Sequence, residues 1–186
     1  MVTARLPLDE ISDEQLAALA VREGSGGEAF ATIVERFRQR VWKICFRLMG
    51  NEADAHDAAQ DVFVQLFLQR EKFRGDSKYA TWVHAIAVRT CLMQRRSRGR
   101  RHRRVAPPSG FDLDIRAASR PEAEAGTKLD LLQMLDVLDE EDRALVILKY
   151  AEGYDYEELA AIFELSVSAC KMRISRAREK IQKRFG

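Results

Sequence analysis

The chain has little of what reactive centres are built from. Its three cysteines, Cys45, Cys91 and Cys170, lie far apart, and no CxxC or CxxH spacing occurs. That pattern excludes the common zinc frameworks, and the odd count argues against a disulfide scaffold. Cys45 and Cys170 fall in step with apolar neighbours, so buried free thiols are expected. His56, His84 and His102 have no neighbouring ligand set, and no glycine-rich phosphate loop or nucleophile signature is present. No catalytic residue, cofactor or metal is therefore expected, and the chain does not read as an enzyme. No apolar run approaches the ~20 residues that span a bilayer. The opening Met1-Val2-Thr3-Ala4-Arg5-Leu6-Pro7 lacks the apolar core of a secretion signal. The expectation is a cytoplasmic protein without membrane insertion.

Prolines are scarce as well, and three of the four (Pro107, Pro108, Pro121) fall within Val105–Thr127, which shows no hydrophobic period. This stretch reads as a flexible linker. On either side the apolar residues recur at steps of three and four, and the predicted fold is all-α, with two small helical domains. The spacing predicts a short helix after Ser12, whose partner Gln15 completes a capping box, ending near Arg22 before Gly24-Ser25-Gly26-Gly27. A long helix follows from Glu28 to Met49, with Phe30, Ile33, Val34, Phe37, Val41, Ile44, Cys45 and Leu48 inward. A second runs from Ala53 to Gln69 on Ala58, Ala59, Val62, Phe63, Leu66 and Phe67. Glu71–Ser77 is a loop, and a third helix covers Tyr79 to about Arg96. Beyond the linker, helices are expected over Lys128–Leu138, Glu140–Ala151 and Tyr156–Phe163, with a last one from Val167. The division is 1–27, an N-terminal segment with a short helix; 28–104, the first domain; 105–127, the linker; and 128–186, the second domain.

The overall charge of +2 conceals a strong partition. Val167–Gly186 holds seven positive residues against one negative, whereas Lys128–Glu164 holds three positive against eleven negative. In the final helix Val167, Cys170, Ile174, Ala177, Ile181 and Phe185 form an apolar stripe, and the cations lie mostly off it. The short helix before it and the turn Glu164-Leu165-Ser166, ending in an N-cap residue, complete a helix-turn-helix layout, whose second helix suits a DNA major groove. A second basic cluster, Arg95–Arg104, contains seven arginines and no acid, a density suited to phosphates. Phe73, Tyr79 and Trp82 nearby offer either stacking surfaces for unpaired bases or core packing. Asp54, Asp57, Gln60, Asp61 and Gln65 give the second long helix an acidic, amide-rich side.

Three runs, in order, resemble the bacterial sigma factors of the extracytoplasmic function group. Asp54-Ala55-His56-Asp57-Ala58-Ala59-Gln60-Asp61-Val62-Phe63 is similar to that family's Ala-Glu-Asp-Leu-Val-Gln-Glu-Val-Phe segment. Phe73-Arg74-Gly75-Asp76-Ser77, Thr81-Trp82-Val83 and Ile86-Ala87 resemble its Phe-Arg-Gly-x-Ser, Thr-Trp-Leu and Ile-Ala run. Tyr156-Glu157-Glu158-Leu159-Ala160 with Arg176-Ala177-Arg178-Glu179-Lys180 is the third. The resemblance implies a region 2-like bundle and a region 4-like helix-turn-helix domain that bind RNA polymerase core and promoter DNA under a repressing anti-sigma factor. It implies that Asp57, Gln60, Asp61 and Gln65 contact core polymerase, and that Lys78, Tyr79, Trp82, Arg89, Arg95 and Arg96 handle the minus-ten element. By motif position, Lys171, Met172, Ser175 and Arg176 would face bases of the minus-thirty-five element. Ser168 lies at the start of the same helix and belongs to the same contact set, with Arg173 and Arg178 on phosphates or acidic neighbours. The chain departs from the family pattern at Arg89, where Asn is common, at Ala169-Cys170, where Thr-Val is, and at Met172, where a small residue is.

Two alternatives differ in class. A helix-turn-helix regulator could bind DNA without being a polymerase subunit, but would carry a sensing domain with strands or a pocket, and residues 28–96 show only long helices. A nucleic-acid hydrolase would need carboxylates at metal spacing, and Asp54, Asp57 and Asp61 on one helical face come closest.

Overall fold

The computed structural model describes residue 8 and residues 10–24, 27–105 and 134–185, with residues 99–105 described as backbone only. The expectations for the first residues, the linker and the start of a helix at Lys128 lie outside them. Among the described residues there are seven α-helices and no strand: α1 (Asp13–Glu23), α2 (Glu28–Met49), α3 (Glu52–Gln69), α4 (Tyr79–Val105), α5 (Glu140–Tyr150), α6 (Tyr156–Phe163) and α7 (Val167–Phe185). The chain divides into two compact units, Met1–Cys91 and Leu92–Gly186.

In the first unit the helix ends are set by local chemistry. The capping box at α1 forms, Ser12 Oγ accepting the Gln15 N–H at 3.2 Å and Gln15 Oε1 the Ser12 N–H at 3.0 Å. Gly27 begins α2 without a side-chain cap; instead Glu23 of α1 reaches across and accepts the Ala29 N–H at 3.0 Å. A Cβ at Gly27 would collide with that Glu23 side chain, so glycine permits the close turn. Gly50 closes α2 in the left-handed region (φ 85°), and Asn51 caps α3 by accepting the Asp54 N–H at 2.9 Å. α2 packs on both α1 and α3. Leu16, Ile33, Val41, Ile44, Ala58, Val62 and Leu66 are buried in that core, together with Val83 and Ala87 of α4. Burying each large aliphatic side chain contributes ~1.5–3 kcal/mol. Cys45, Cys91 and Cys170 are all buried free thiols. The Cys45 thiol is pushed well up, by its hydrogen bond with Cys91 first and by burial second, which leaves it unreactive.

α4 does not end near Arg96 as the spacing predicts; it continues to Val105 through the arginine cluster. Arginine is a good helix former, and the first helix-breaking proline comes only at Pro107.

In the second unit α5 opens at Asp139, which accepts the Asp142 N–H at 2.9 Å. The helix expected to reach Leu138 has already ended by Asp136, in a turn in which the Leu138 N–H bonds Leu135 O at 3.2 Å. Leu135 and Leu138 are buried and share a cluster with Ala177, flanked by Val146, Ile147 and Ile181. α7 packs on α5 and α6.

Candidate nucleic-acid interface

The α6–turn–α7 segment is defined by three caps. Asp155 and Glu158 form a capping box at the head of α6, with Asp155 Oδ1 accepting the Glu158 N–H at 2.7 Å. Glu164 ends α6 in the left-handed conformation (φ 56°), its N–H donated to Ala160 O. Ser166 then starts α7, its hydroxyl accepting the Ala169 N–H at 3.1 Å and its carbonyl the Cys170 N–H at 3.0 Å. Cys170, Ile174 and Ala177 are buried. Phe185, expected on this stripe, is instead 43% exposed beyond the last packed turn. Ser168, Lys171, Met172, Ser175, Arg176 and Arg178 are all exposed. At ~100° per residue, Lys171, Met172, Ser175 and Arg176 fall together on the side opposite the buried stripe. Met172 is 54% exposed, an apolar side chain held out amid cations.

Arg173 behaves differently. Its Nε donates to Asp142 Oδ1 at 2.7 Å and its Nη1 to Glu141 Oε2 at 3.1 Å, while Nη2 lies 3.7 Å from Asp139 Oδ1. Of the two settings open to Arg173 on sequence, phosphate or acidic neighbours, it occupies the second. Burial works against its charge, but the hydrogen bonds that it donates to Asp142 and Glu141 outweigh it and raise the Arg173 pKa. Asp142 is only 7% exposed, and its second oxygen lies 3.6 Å from Lys180 Nζ. Arg95 of α4 forks onto Glu140 (Nη2–Oε1 3.1 Å), and Arg96 binds Glu141. The hydrogen bonds from Arg96 and Arg173 hold the Glu141 carboxyl below the usual carboxylate range. The head of α5 thus gathers arginines from α4 and α7. Sequence reasoning saw the acidic balance of this stretch but not which acids meet which cations.

In the first unit, Asp57, Gln60 and Asp61 are exposed along α3, and Gln65 is half-buried, accepting from Gln69 Nε2 at 2.9 Å. Val64 (54% exposed) and Leu68 (64%) lie on the outer side of the same helix and were missed. Their signal was available: both are apolar residues outside the three-four rhythm of α3. Large apolar side chains exposed beside acids and amides are what a protein-docking face carries.

Phe73, Tyr79 and Trp82 do come together, with ring centroids 5.0 Å apart for Phe73–Tyr79 and 5.6 Å for each of the other two pairs. Their exposure differs. Trp82 is half-buried, but Tyr79 is 1% exposed, with Phe37 edge-on at 5.8 Å. Its backbone N–H donates to Glu14 Oε1 of α1 at 3.1 Å, a cap supplied from far along the chain. The Tyr79 ring is therefore a core residue here and presents no face to a base. Lys78 and Arg89 are exposed, and Gly75 turns the preceding loop at φ 79°. Among the described residues no three or more His, Cys, Asp or Glu side chains are placed to hold a metal ion, and no helix is long and apolar enough to cross a membrane.

Two stretches of the chain match known families. The family profile for Sigma-70 region 2 matches residues 33–101, and that for Sigma-70, region 4 matches residues 128–181. The ECF RNA polymerase sigma factor SigE of Mycolicibacterium smegmatis is 31% identical over 93% of this chain and 69% of its own length. The RNA polymerase sigma-H factor of Pseudomonas aeruginosa is 28% identical over 93% of this chain and 95% of its own. The ECF RNA polymerase sigma-E factor of Escherichia coli K12 is 29% identical over 94% and 95%. Among solved structures, CnrH in complex with the cytosolic domain of CnrY superposes with a TM-score of 0.61 at 26% identity, covering 92% of this chain and 95% of that one. The sigma factor RpoE of Bartonella quintana, in complex with the anti-sigma factor NepR, shares the fold with a TM-score of 0.60 at 22% identity, covering 84% and 96%.

Proposed function

Because the chain belongs to the sigma-70 family, as a sigma factor of the extracytoplasmic function group, we propose that it directs RNA polymerase core to promoters through three surfaces. It is a promoter-recognition subunit and not a free-standing helix-turn-helix regulator. Residues 28–104 form the region 2 domain, 105–127 the linker and 128–186 the region 4 domain. The outer side of α3 docks on core polymerase: Asp57, Gln60, Asp61 and Gln65 supply charge and amides, and Val64 and Leu68 the apolar contact. At the minus-ten element Lys78 and Arg89 hold the backbone, Arg95 and Arg96 join them on exchanging Glu140 and Glu141 for phosphates, and the half-buried Trp82 offers one face to a base released from the duplex, worth ~1–3 kcal/mol. At the minus-thirty-five element α7 enters the major groove. A cytosolic anti-sigma factor controls access to these surfaces, as the bound states of its structural relatives suggest, and the protein works in the cytoplasm.

The observation that carries this reading is the segregation of α7. One side is packed on Cys170, Ile174 and Ala177, and the opposite side presents Lys171, Met172, Ser175 and Arg176 to solvent. Arg176 can donate two parallel hydrogen bonds to a guanine edge, worth ~1–3 kcal/mol of discrimination. Met172 suits the methyl group of thymine. The test is transcription in vitro by the full chain with purified core polymerase on a genomic library. Initiation at defined sites sharing a minus-thirty-five sequence is expected, weakened by ~1–3 kcal/mol in Arg176→Ala. If no defined start site appears, the reading fails.

A further inference from the structure

We propose that Asp142, with Glu141 and Asp139 beside it, is a positioning residue for promoter reading: through Arg173 it fixes the roll of α7 about its own axis, and so the direction in which Lys171, Met172, Ser175 and Arg176 enter the groove. This rests on the assignment of α7 as the minus-thirty-five reader.

Every nitrogen of the Arg173 guanidinium faces a carboxylate at the head of α5, at 2.7 Å (Asp142), 3.1 Å (Glu141) and 3.7 Å (Asp139). Two of its five N–H donors are thus committed to hydrogen bonds with Asp142 and Glu141, and the acids around it neutralise the charge that a phosphate would meet. The acids are themselves fixed. Asp139 caps α5 by accepting the Asp142 N–H, and Asp142 has a side chain 9% exposed with Lys180 of α7 on its second oxygen. Two cations of α7, seven positions apart, thus meet one buried carboxylate of α5.

The apolar seam of α7 cannot define its roll so well. Its fully buried members are Cys170, Ile174 and Ala177, two of them small, with Ile181 only partly buried at the end of the seam. Hydrophobic burial is non-directional, whereas an arginine fork on carboxylates has a fixed geometry. On a helix of ~6 Å outer radius, a roll of about 20° carries side-chain tips ~2 Å sideways. That displacement breaks a bidentate contact, which requires donor–acceptor distances near ~2.9 Å.

The proposal makes a prediction of unusual sign. By charge alone, removing a carboxylate close to a DNA-binding helix should tighten binding to any duplex. Loss of positioning should instead lower the preference for the correct sequence. The experiment uses full chain with core polymerase and compares initiation from a promoter selected by the wild-type holoenzyme with the same template carrying a scrambled minus-thirty-five element. A wild-type ratio of one would overturn the α7 assignment itself, separately from this inference. With wild-type selectivity established, Asp142→Asn and Arg173→Lys are each expected to reduce the ratio about tenfold, and the double variant no further than either single one. The salt slope of duplex binding is expected to stay as in wild type for Arg173→Ala, whereas loss of a phosphate contact would lower it by ~0.9. An unchanged or raised ratio in folded Asp142→Asn, or that loss of slope in Arg173→Ala, overturns the proposal. Should Asp142→Asn lose helix content, Glu141→Gln removes one arm from a more exposed site. A severalfold fall in its ratio supports the positioning role, and no fall refutes it.

Discussion

Replacing Tyr79 by alanine should unfold much of the first unit before it impairs any contact with DNA. The ring is 1% exposed and packs against Phe73, Phe37 and Trp82 at centroid distances of 5.0, 5.8 and 5.6 Å. Truncating a buried aromatic costs ~3–5 kcal/mol, and each well-oriented ring pair is worth ~0.5–1.5 kcal/mol within or beyond that sum. A stability of ~5–15 kcal/mol leaves little margin after such a loss. For a unit of this size each kcal/mol moves Tm by ~4–8 °C, so a fall of at least ~12 °C is expected. Thermal unfolding of the full chain followed by circular dichroism, with Trp82→Ala as the comparison, measures it. Trp82→Ala should cost less stability and more open-complex formation, because that ring is half-buried. A Tyr79→Ala protein that melts within a few degrees of wild type, yet fails to open promoters, would refute the burial argument and return the ring to base stacking.

Asp61→Arg on the exposed side of α3 should abolish co-purification with core polymerase while duplex binding persists, and recovery with core at wild-type yield would count against that surface. Glu140→Gln should free Arg95 for phosphate and steepen the salt dependence of non-specific duplex binding by ~0.9 in log–log slope, read from titrations at several KCl concentrations. His84 has its pKa lowered to about 4, by burial first and by the charge of Arg40 second. Between pH 6.5 and about 4 the unfolded chain therefore takes up a proton that the folded chain refuses, and stability falls as pH falls through that window. The contribution is ~1–3 kcal/mol, and it should be absent from His84→Gln in urea unfolding at pH 7 and pH 4.5.

The features legible in the sequence share a physical cause, namely that their determinants are neighbours along the chain. The capping box at Ser12 and Gln15, the Asn51 cap and the turn that ends in Ser166 each involve residues within three positions. The same holds for the apolar stripes, with the exception of Phe185, where periodicity outlasts the surface it would pack on. What could not be read are side chains whose partners come from another helix. The Tyr79 ring was legible only as a choice between base stacking and core packing, and the Glu14 carboxylate on its N–H comes from α1 and leaves no local trace. Arg173 is the sharper case. Its neighbours on α7 are chemically alike, a run of cations off one apolar stripe, and spacing alone leaves Arg173 open to phosphates or to acidic neighbours. The fold divides them by what lies across the interface: Arg176 faces solvent, while Arg173, three residues earlier, faces two carboxylates of α5 and that of its cap, Asp139. A basic helix is therefore not a uniform polycation. Its share of charge spent on internal ion pairs is set by the acidic helix beneath it, and only the remainder reaches the phosphates. A salt slope measured for this domain should count the outward cations, Lys171, Arg176 and Arg178 among them, and exclude Arg173.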